Sequence, residues 1–293
     1  MARSQVSVIG LGSMGTAIAQ KLIEEGVDTK VFNRSKAPLE PFASQGTNVA
    51  EDIADAFDAD VIFSMLSNDA AVLQVFSEDL LATVPKDTVH VNQATVSLEA
   101  TKELHRRHQA AGIDYIAGPV LGRPHVATAG KLVTVAAGDS DSLAIAQPFI
   151  DKFCGKTFHV GSEPWFASLV KIGVNYNLIH ALQAMGESIS LVEKAEIDPN
   201  LFVEILTYAA FTGSAYAGYG PMIANKTFQP AGFLMELGLK DLNLVESAAK
   251  DLNLKIPAIP LLKGLFETAL QDEELAQSDW SAVSEVTRRQ IGM

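Results

Sequence analysis

Val6 to Gly15 reads "VSVIGLGSMG", and the fold turns on it. An apolar run with β-branched residues ends in Gly10, Gly12 and Gly15, spaced G-x-G-x-x-G, and a helical pattern follows. Each glycine has a task in a phosphate-binding turn. Gly10 makes the tight turn, Gly12 lets backbone approach a pyrophosphate, and Gly15 lets helix pack on strand. The helix N-terminus then faces the phosphates. Leu11, Ser13 and Met14 fill the turn between the glycines. A Gly-rich turn without a ligand is the competing reading; the strand before, the helix after and the next strand favour the nucleotide.

Outward from this turn, residues up to about 160 alternate short apolar runs with amphipathic segments, the pattern of a parallel sheet covered by helices on both faces. Strand-like runs fall at 5–11, 29–34, 60–66, 88–92, 113–118, 131–138 and 156–161, with helical segments such as 14–25 and 97–111 between them. Past Gly161 no further strand-like run appears. Ser162 offers an N-cap with Pro164 in the first turn. A helix from 164 to 194 would be ~45 Å long, enough to leave one domain and found the next. Helical patterning continues over 199–211, 233–253, 257–271 and 279–290. The expected fold is an α/β Rossmann domain over 1–162 and an all-α domain over 163–293, with 163–194 as interdomain helix.

The 293 residues suffice for two domains, and 48% apolar content supports sizeable cores. Net charge is −13, which argues against a general nucleic-acid binder. The one cysteine, Cys154, leaves no internal disulfide and no Cys-based zinc site, and suits a reducing compartment. "MARSQ" runs straight into a strand with no signal-peptide pattern, and no apolar run is long enough to span a membrane. The expectation is a cytoplasmic protein acting on a small molecule, with neither nucleic acid nor membrane as partner.

The second strand ends "VFNRSK". An NAD site wants an acid here for the ribose 2′-OH; this chain has Asn33, Arg34, Ser35 and Lys36. A guanidinium with hydroxyl and amide donors holds a 2′-phosphate that a carboxylate would repel. The expected cofactor is NADP(H).

"SLVKIGVNYNLIHAL" (168–182) places Lys171, Asn175, Leu178 and Leu182 on one helical stripe. A lysine there can donate the proton a carbonyl oxygen needs, because burial lowers its pKa; the Asn175 amide can orient that oxygen. Alternatively Lys171 snorkels with its head in water. Spacing alone leaves both readings open.

These motifs together resemble the β-hydroxyacid dehydrogenase family, over nearly the whole chain. "GLGSMG" is similar to its opening fingerprint, "NRS" to the NRT of NADP-using members, and "KIGVN" to its K-x-x-x-N motif. "LKDLNL" (239–244) resembles its K-D-L-x-L segment, and "DWSAV" (279–283) its D-F-S-A-V. The resemblance implies Lys171 as acid/base, Asn175 as substrate orienter, Lys240 approaching the cofactor and Asp241 in support. It implies Leu66 and Thr95 as further cofactor contacts, and homodimers or homotetramers built through the helical domain. Two motifs depart. D-x-S-T becomes "NQAT", with Asn92 and Ala94 replacing Asp and Ser. D-A-P-V-S-G-G becomes "AGPVLGR", so Leu121, Gly122 and Arg123 form the substrate loop, with Leu in place of a serine and Arg in place of a glycine. Either Arg123 clamps a carboxylate in their stead, or the pocket is more apolar. Imine reductases, related and NADPH-dependent, are the alternative of the second kind. A sensor that binds NADP without turnover is a third reading, disfavoured by Lys171.

Other residues are set aside. "HRRH" (105–108) reads as a solvated helix face rather than a metal site, and no metal is expected. His125 is open between pocket donor and surface residue. The aromatics Tyr176, Tyr208, Phe211, Tyr216 and Tyr219 read as core more than as site. "FTGSAYAGYGPM" (211–222) reads as a loop reaching the substrate, and Trp165 and Trp280 as packing.

Overall fold

The computed structural model describes residues 4–290. Contacts divide the chain into two compact units between Lys171 and Ile172.

Unit 1 is a Rossmann domain. Its main sheet has six parallel strands, β1 (Ser4–Ile9), β2 (Thr29–Phe32), β3 (Asn48–Val49), β4 (Ala59–Ser64), β5 (Val89–Asn92) and β6 (Asp114–Ala117), in the order β3-β2-β1-β4-β5-β6. Consecutive side chains go to opposite faces, and both faces are covered. Val8, Phe63 and Val91 enter one core with Ile18, Ile150 and Phe153. Ile9 and Ile62 enter another with Phe76, Leu104 and Tyr115. Strand order reverses between β1 and β4, which opens a crevice at the strands' carboxyl ends. A second sheet holds β7 (Val120–Leu121), β8 (Leu132–Ala136) and β9 (Cys154–His159) in that order. The bridge between Ala117 and Ala137 joins it to the end of β6.

Unit 2 is all-helical. The helix Trp165–Lys194 has 30 residues, about 45 Å at the usual rise; its first turns belong to unit 1 and the rest to unit 2. It starts after Pro164, so Ser162 lies ahead of its first turn and is not its N-cap. Helices Pro199–Ala209, Ser214–Ala224, Met235–Asp251 and Ile259–Leu270 follow. Ile179, Leu182, Met185, Leu242, Phe266 and Trp280 form the core. Asp279 is buried and accepts hydrogen bonds from the Gly232, Phe233 and Ser281 amides and the Ser281 hydroxyl. The first residue of "DWSAV" therefore pins a loop.

Three further expectations are corrected. The segment 211–222 is no loop: Ser214–Ala224 is helical with Pro221 inside it. Gly220 lets this helix lie against Val203, whose methyl is 2.8 Å from where a Cβ would sit. His108 is no solvated residue; it is fully buried. Tyr208 belongs to no core, being 89% exposed. Among the described residues no helix is long and apolar enough to cross a membrane and no His/Cys/Asp/Glu cluster suits a metal. Cys154 is buried against the Thr134 hydroxyl, and burial pushes its thiol up to about 12, so it is not a nucleophile at neutral pH.

Candidate active site

The Gly-rich turn sits at the carboxyl end of β1. Gly10 has φ +96°, and a Cβ there would lie 2.4 Å from the Met65 carbonyl oxygen. A Cβ on Gly15 would lie 1.9 Å from the Gly10 oxygen. Neither position admits a side chain. Gly12 differs: nothing lies within 4 Å of where its Cβ would be. It is the N-cap of the helix Ser13–Glu24, without a side-chain cap or an acid in the first turn. Exposed Gly12 and Ser13 thus present helix-terminal N–H groups to an open side, which fits a pyrophosphate.

Asn33 joins this turn to the end of β2. Its Oδ1 accepts from Leu11 N at 2.9 Å, and its Nδ2 donates to the Ser35 carbonyl and hydroxyl at 3.0 and 2.9 Å. Asn33 braces two loops, while Arg34, Ser35 and Lys36 are exposed beyond it. Half-buried Leu66 follows β4 and packs beside Gly10.

At the carboxyl end of β5, buried Asn92 accepts from Ala94 N at 3.2 Å and donates to the Tyr115 hydroxyl at 3.1 Å. It thus folds the turn toward half-buried Thr95 as a neutral group. Beneath it runs a buried polar chain that sequence reasoning missed. Ser64 Oγ lies 2.8 Å from His90 Nε2, His90 Nδ1 lies 2.8 Å from His108 Nε2, and His108 Nδ1 lies 2.7 Å from the Leu104 oxygen. A carbonyl only accepts, so His108 donates through Nδ1 and His90 donates to His108; the single Ser64 hydroxyl proton then faces two acceptors, His90 Nε2 and Asn92 Oδ1 at 3.2 Å. Burial lowers the pKa of both, His108 to about 4. The available signal was a histidine set among valines in "TVHVN".

Leu121 is half-buried at the end of β7. Gly122 has φ +134°, and half-buried Arg123 is the N-cap residue of the Pro124–Thr128 helix, with His125 exposed. Ser97 caps the helix Leu98–Ala111. One turn on, Thr101 Oγ1 bonds Ser168 Oγ at 2.8 Å. This tethers the start of the long helix within unit 1. Half-buried Lys171 comes three residues later.

In unit 2, buried Asn175 donates from Nδ2 to Asp241 Oδ2 at 2.6 Å, and Lys240 Nζ lies 4.0 Å from Asp241 Oδ1. Residues 66 apart in sequence thus form one polar cluster, a turn along the helix from Lys171.

A family model described as the NAD binding domain of 6-phosphogluconate dehydrogenase matches residues 5–161, more than half of the chain. A second, NAD-binding of NADP-dependent 3-hydroxyisobutyrate dehydrogenase, matches 167–287. The chain belongs to the NAD(P)-dependent hydroxyacid dehydrogenase family. As a member it is an oxidoreductase with a NAD(P)-binding Rossmann domain. It is 35% identical over 282 residues to YfjR of Bacillus subtilis, an uncharacterised oxidoreductase, covering 95% of this chain and 98% of that one. Among solved structures, Mycobacterium tuberculosis 3-hydroxyisobutyrate dehydrogenase with L-serine superposes with a TM-score of 0.87 at 25% identity, covering 97% and 99% of the two chains. Psf3 in complex with NADP+ and 2-OPP gives 0.85 at 26%, covering 96% and 99%.

Proposed function

We propose that this hydroxyacid dehydrogenase family member is an NADP(H)-dependent reductase of small aldehydes or keto acids, a semialdehyde or the matching 3-hydroxy acid, with Lys171 as its acid/base. The observation that carries the reading is the buried Asn175–Asp241 bond one helical turn from Lys171. A buried amide held by a buried carboxylate is a fixed positioning device.

Bound NADP(H) supplies or accepts the hydride at nicotinamide C4. The chain does the rest. Gly10, Leu11, Gly12, Ser13, Met14 and Gly15 hold the pyrophosphate. Arg34 and Ser35 hold the 2′-phosphate on a loop that Asn33 braces. Leu66, Thr95 and Lys240 complete the cofactor contacts. Exposed Arg34 with no acid after β2 supports the phosphorylated cofactor, as does the NADP+ in the Psf3 complex. Lys171 Nζ gives its proton to the substrate oxygen on reduction and takes it back on oxidation. Asn175 keeps one N–H and its carbonyl oxygen after serving Asp241, and directs that oxygen. Arg123 takes a substrate carboxylate as a bidentate fork, with Leu121 and Gly122 shaping the loop.

Residues 1–162 would bind nucleotide, and 163–293 would complete the site and carry self-association. Leu201, Ile205 and Tyr208 form one exposed stripe on Pro199–Ala209, which supports a homodimer or homotetramer.

The test is steady-state loss of reduced-nicotinamide absorbance with glyoxylate, succinic semialdehyde, methylmalonate semialdehyde, tartronate semialdehyde and one cyclic imine, each with NADPH and with NADH. Turnover of a carbonyl acid with NADPH preferred is expected. Turnover of the imine alone would replace the reading with imine reduction, and cofactor binding without turnover would replace it with a sensor.

A further inference from the structure

Two consecutive amides end β5, and they are treated differently. Asn92 has both ends of its side chain committed, to Ala94 N and the Tyr115 hydroxyl. Gln93 is only 2% exposed, yet neither its Nε2 nor its Oε1 has a hydrogen-bond partner among the described residues. Native structures carry few such groups, and each calls for a reason. The main chain at this point is fixed. Gln93 N donates to the Ser64 oxygen at 2.9 Å, and the Asn92 oxygen accepts from Gly118 N at 2.8 Å. Only the side-chain torsions of Gln93 are free to change.

Its position says what would meet the demand. A Rossmann sheet is two mononucleotide-binding halves. The Gly-rich turn and the Asn33–Ser35 loop belong to the β1–β3 half, which takes the adenosine side. Gln93 stands at the carboxyl end of the middle strand of the other half, β4–β6, which takes nicotinamide. A glutamine amide presents an acceptor and a donor side by side. Its complement is a group presenting a donor and an acceptor, a carboxamide, and nicotinamide carries one. A carbonyl acid substrate offers only acceptors once ionised and would leave Oε1 unmet.

We propose that Gln93 is a nicotinamide-recognition residue: its amide turns to the carboxamide of bound nicotinamide and exchanges one hydrogen bond in each direction. The proposal rests on the cofactor reading above. It gives a function to the second residue of "NQAT", the variable position of the family's D-x-S-T pattern, where the resemblance assigned none.

The test is calorimetric titration of the full chain and of Gln93→Met, which keeps side-chain length and removes the amide. The probes are NADP+ and 2′,5′-ADP, which has the 2′-phosphate and no nicotinamide. Melting temperatures are taken without ligand. NADP+ should bind Gln93→Met about tenfold more weakly, the worth of two modest hydrogen bonds. Affinity for 2′,5′-ADP should stay within about twofold, and the ligand-free melting temperature should not fall, because removing two unmet buried groups costs nothing. Equal NADP+ affinity in the two proteins would overturn the proposal. So would a lower melting temperature with NADP+ affinity intact, the signature of an amide satisfied by buried water, or an equal loss of both ligands. Failure of the wild type to bind NADP+ while the folded protein melts normally would overturn the cofactor reading, and the proposal with it.

Discussion

Asp241 is a buried carboxylate that accepts from the Asn175 amide at 2.6 Å and has the Lys240 ammonium at 4.0 Å. Such a group is costly to bury unless it holds something in place. In the proposed reaction it holds the amide that aims the substrate oxygen, so it acts through Asn175. Asp241→Ala should lower kcat about tenfold to a hundredfold through misplacement of that amide, with NADP+ affinity changed far less; single-turnover kinetics beside calorimetry separate the two. An unchanged kcat would remove Asp241 from the mechanism. Much of this was legible in the residues themselves. Lys171 and Asn175 share a stripe four apart, and "LKDLNL" carries its acid inside an apolar helix. That Asn175 and Asp241 touch was not legible, because 66 residues separate them and no local pattern encodes that pairing. Asn33 shows the converse. Its identity suggested a phosphate donor, whereas its amide spends its hydrogen bonds on Leu11 and Ser35.

Most strands and helices of unit 1 are legible in the sequence, since a parallel sheet buried on both faces writes itself as continuous apolar runs. The two-residue strands β3 and β7 are too short to leave a period. Ser214–Ala224 was missed because Gly and Pro weigh against a helix locally, while packing of Gly220 on Val203 outweighs propensity. His108 was misread for a similar reason. Three of four residues in "HRRH" face outward or partly so, and contacts with His90, Tyr115 and Phe76 bury the fourth. The pairing of β5 with helix Leu98–Ala111 through His90 and His108 has a pH consequence. Both imidazoles are neutral in the fold, with pKa values below the ordinary 6.5, and His108 at about 4. Unfolded, both bind protons near 6.5. Their contribution to stability is therefore complete above about pH 6.5 and is lost as pH falls toward the folded values. His108 alone should cost about 2 kcal/mol by pH 5. Urea midpoints measured at pH 9, 8 and 5 should be level over the first interval and fall over the second; a midpoint level to pH 5 would contradict the neutral chain.

The nucleotide turn, the strand order and the alternation of strand and helix fix a Rossmann unit, and the disappearance of strand signal after Gly161 announces an all-helical one. Family membership agrees with both. The substrate loop is the least legible part, because Leu121 and Arg123 replace the family's serine and glycine on either side of Gly122 and no local pattern says what they hold. In the proposed reaction Lys171 moves the proton. The assay that tests it most directly is NADPH oxidation by wild type and Lys171→Ala on the best carbonyl acid of the panel, with NADP+ affinity measured for both. The variant should lose about 10²–10⁴ in rate with NADP+ affinity kept. A variant that turns over the substrate at the wild-type rate would contradict it.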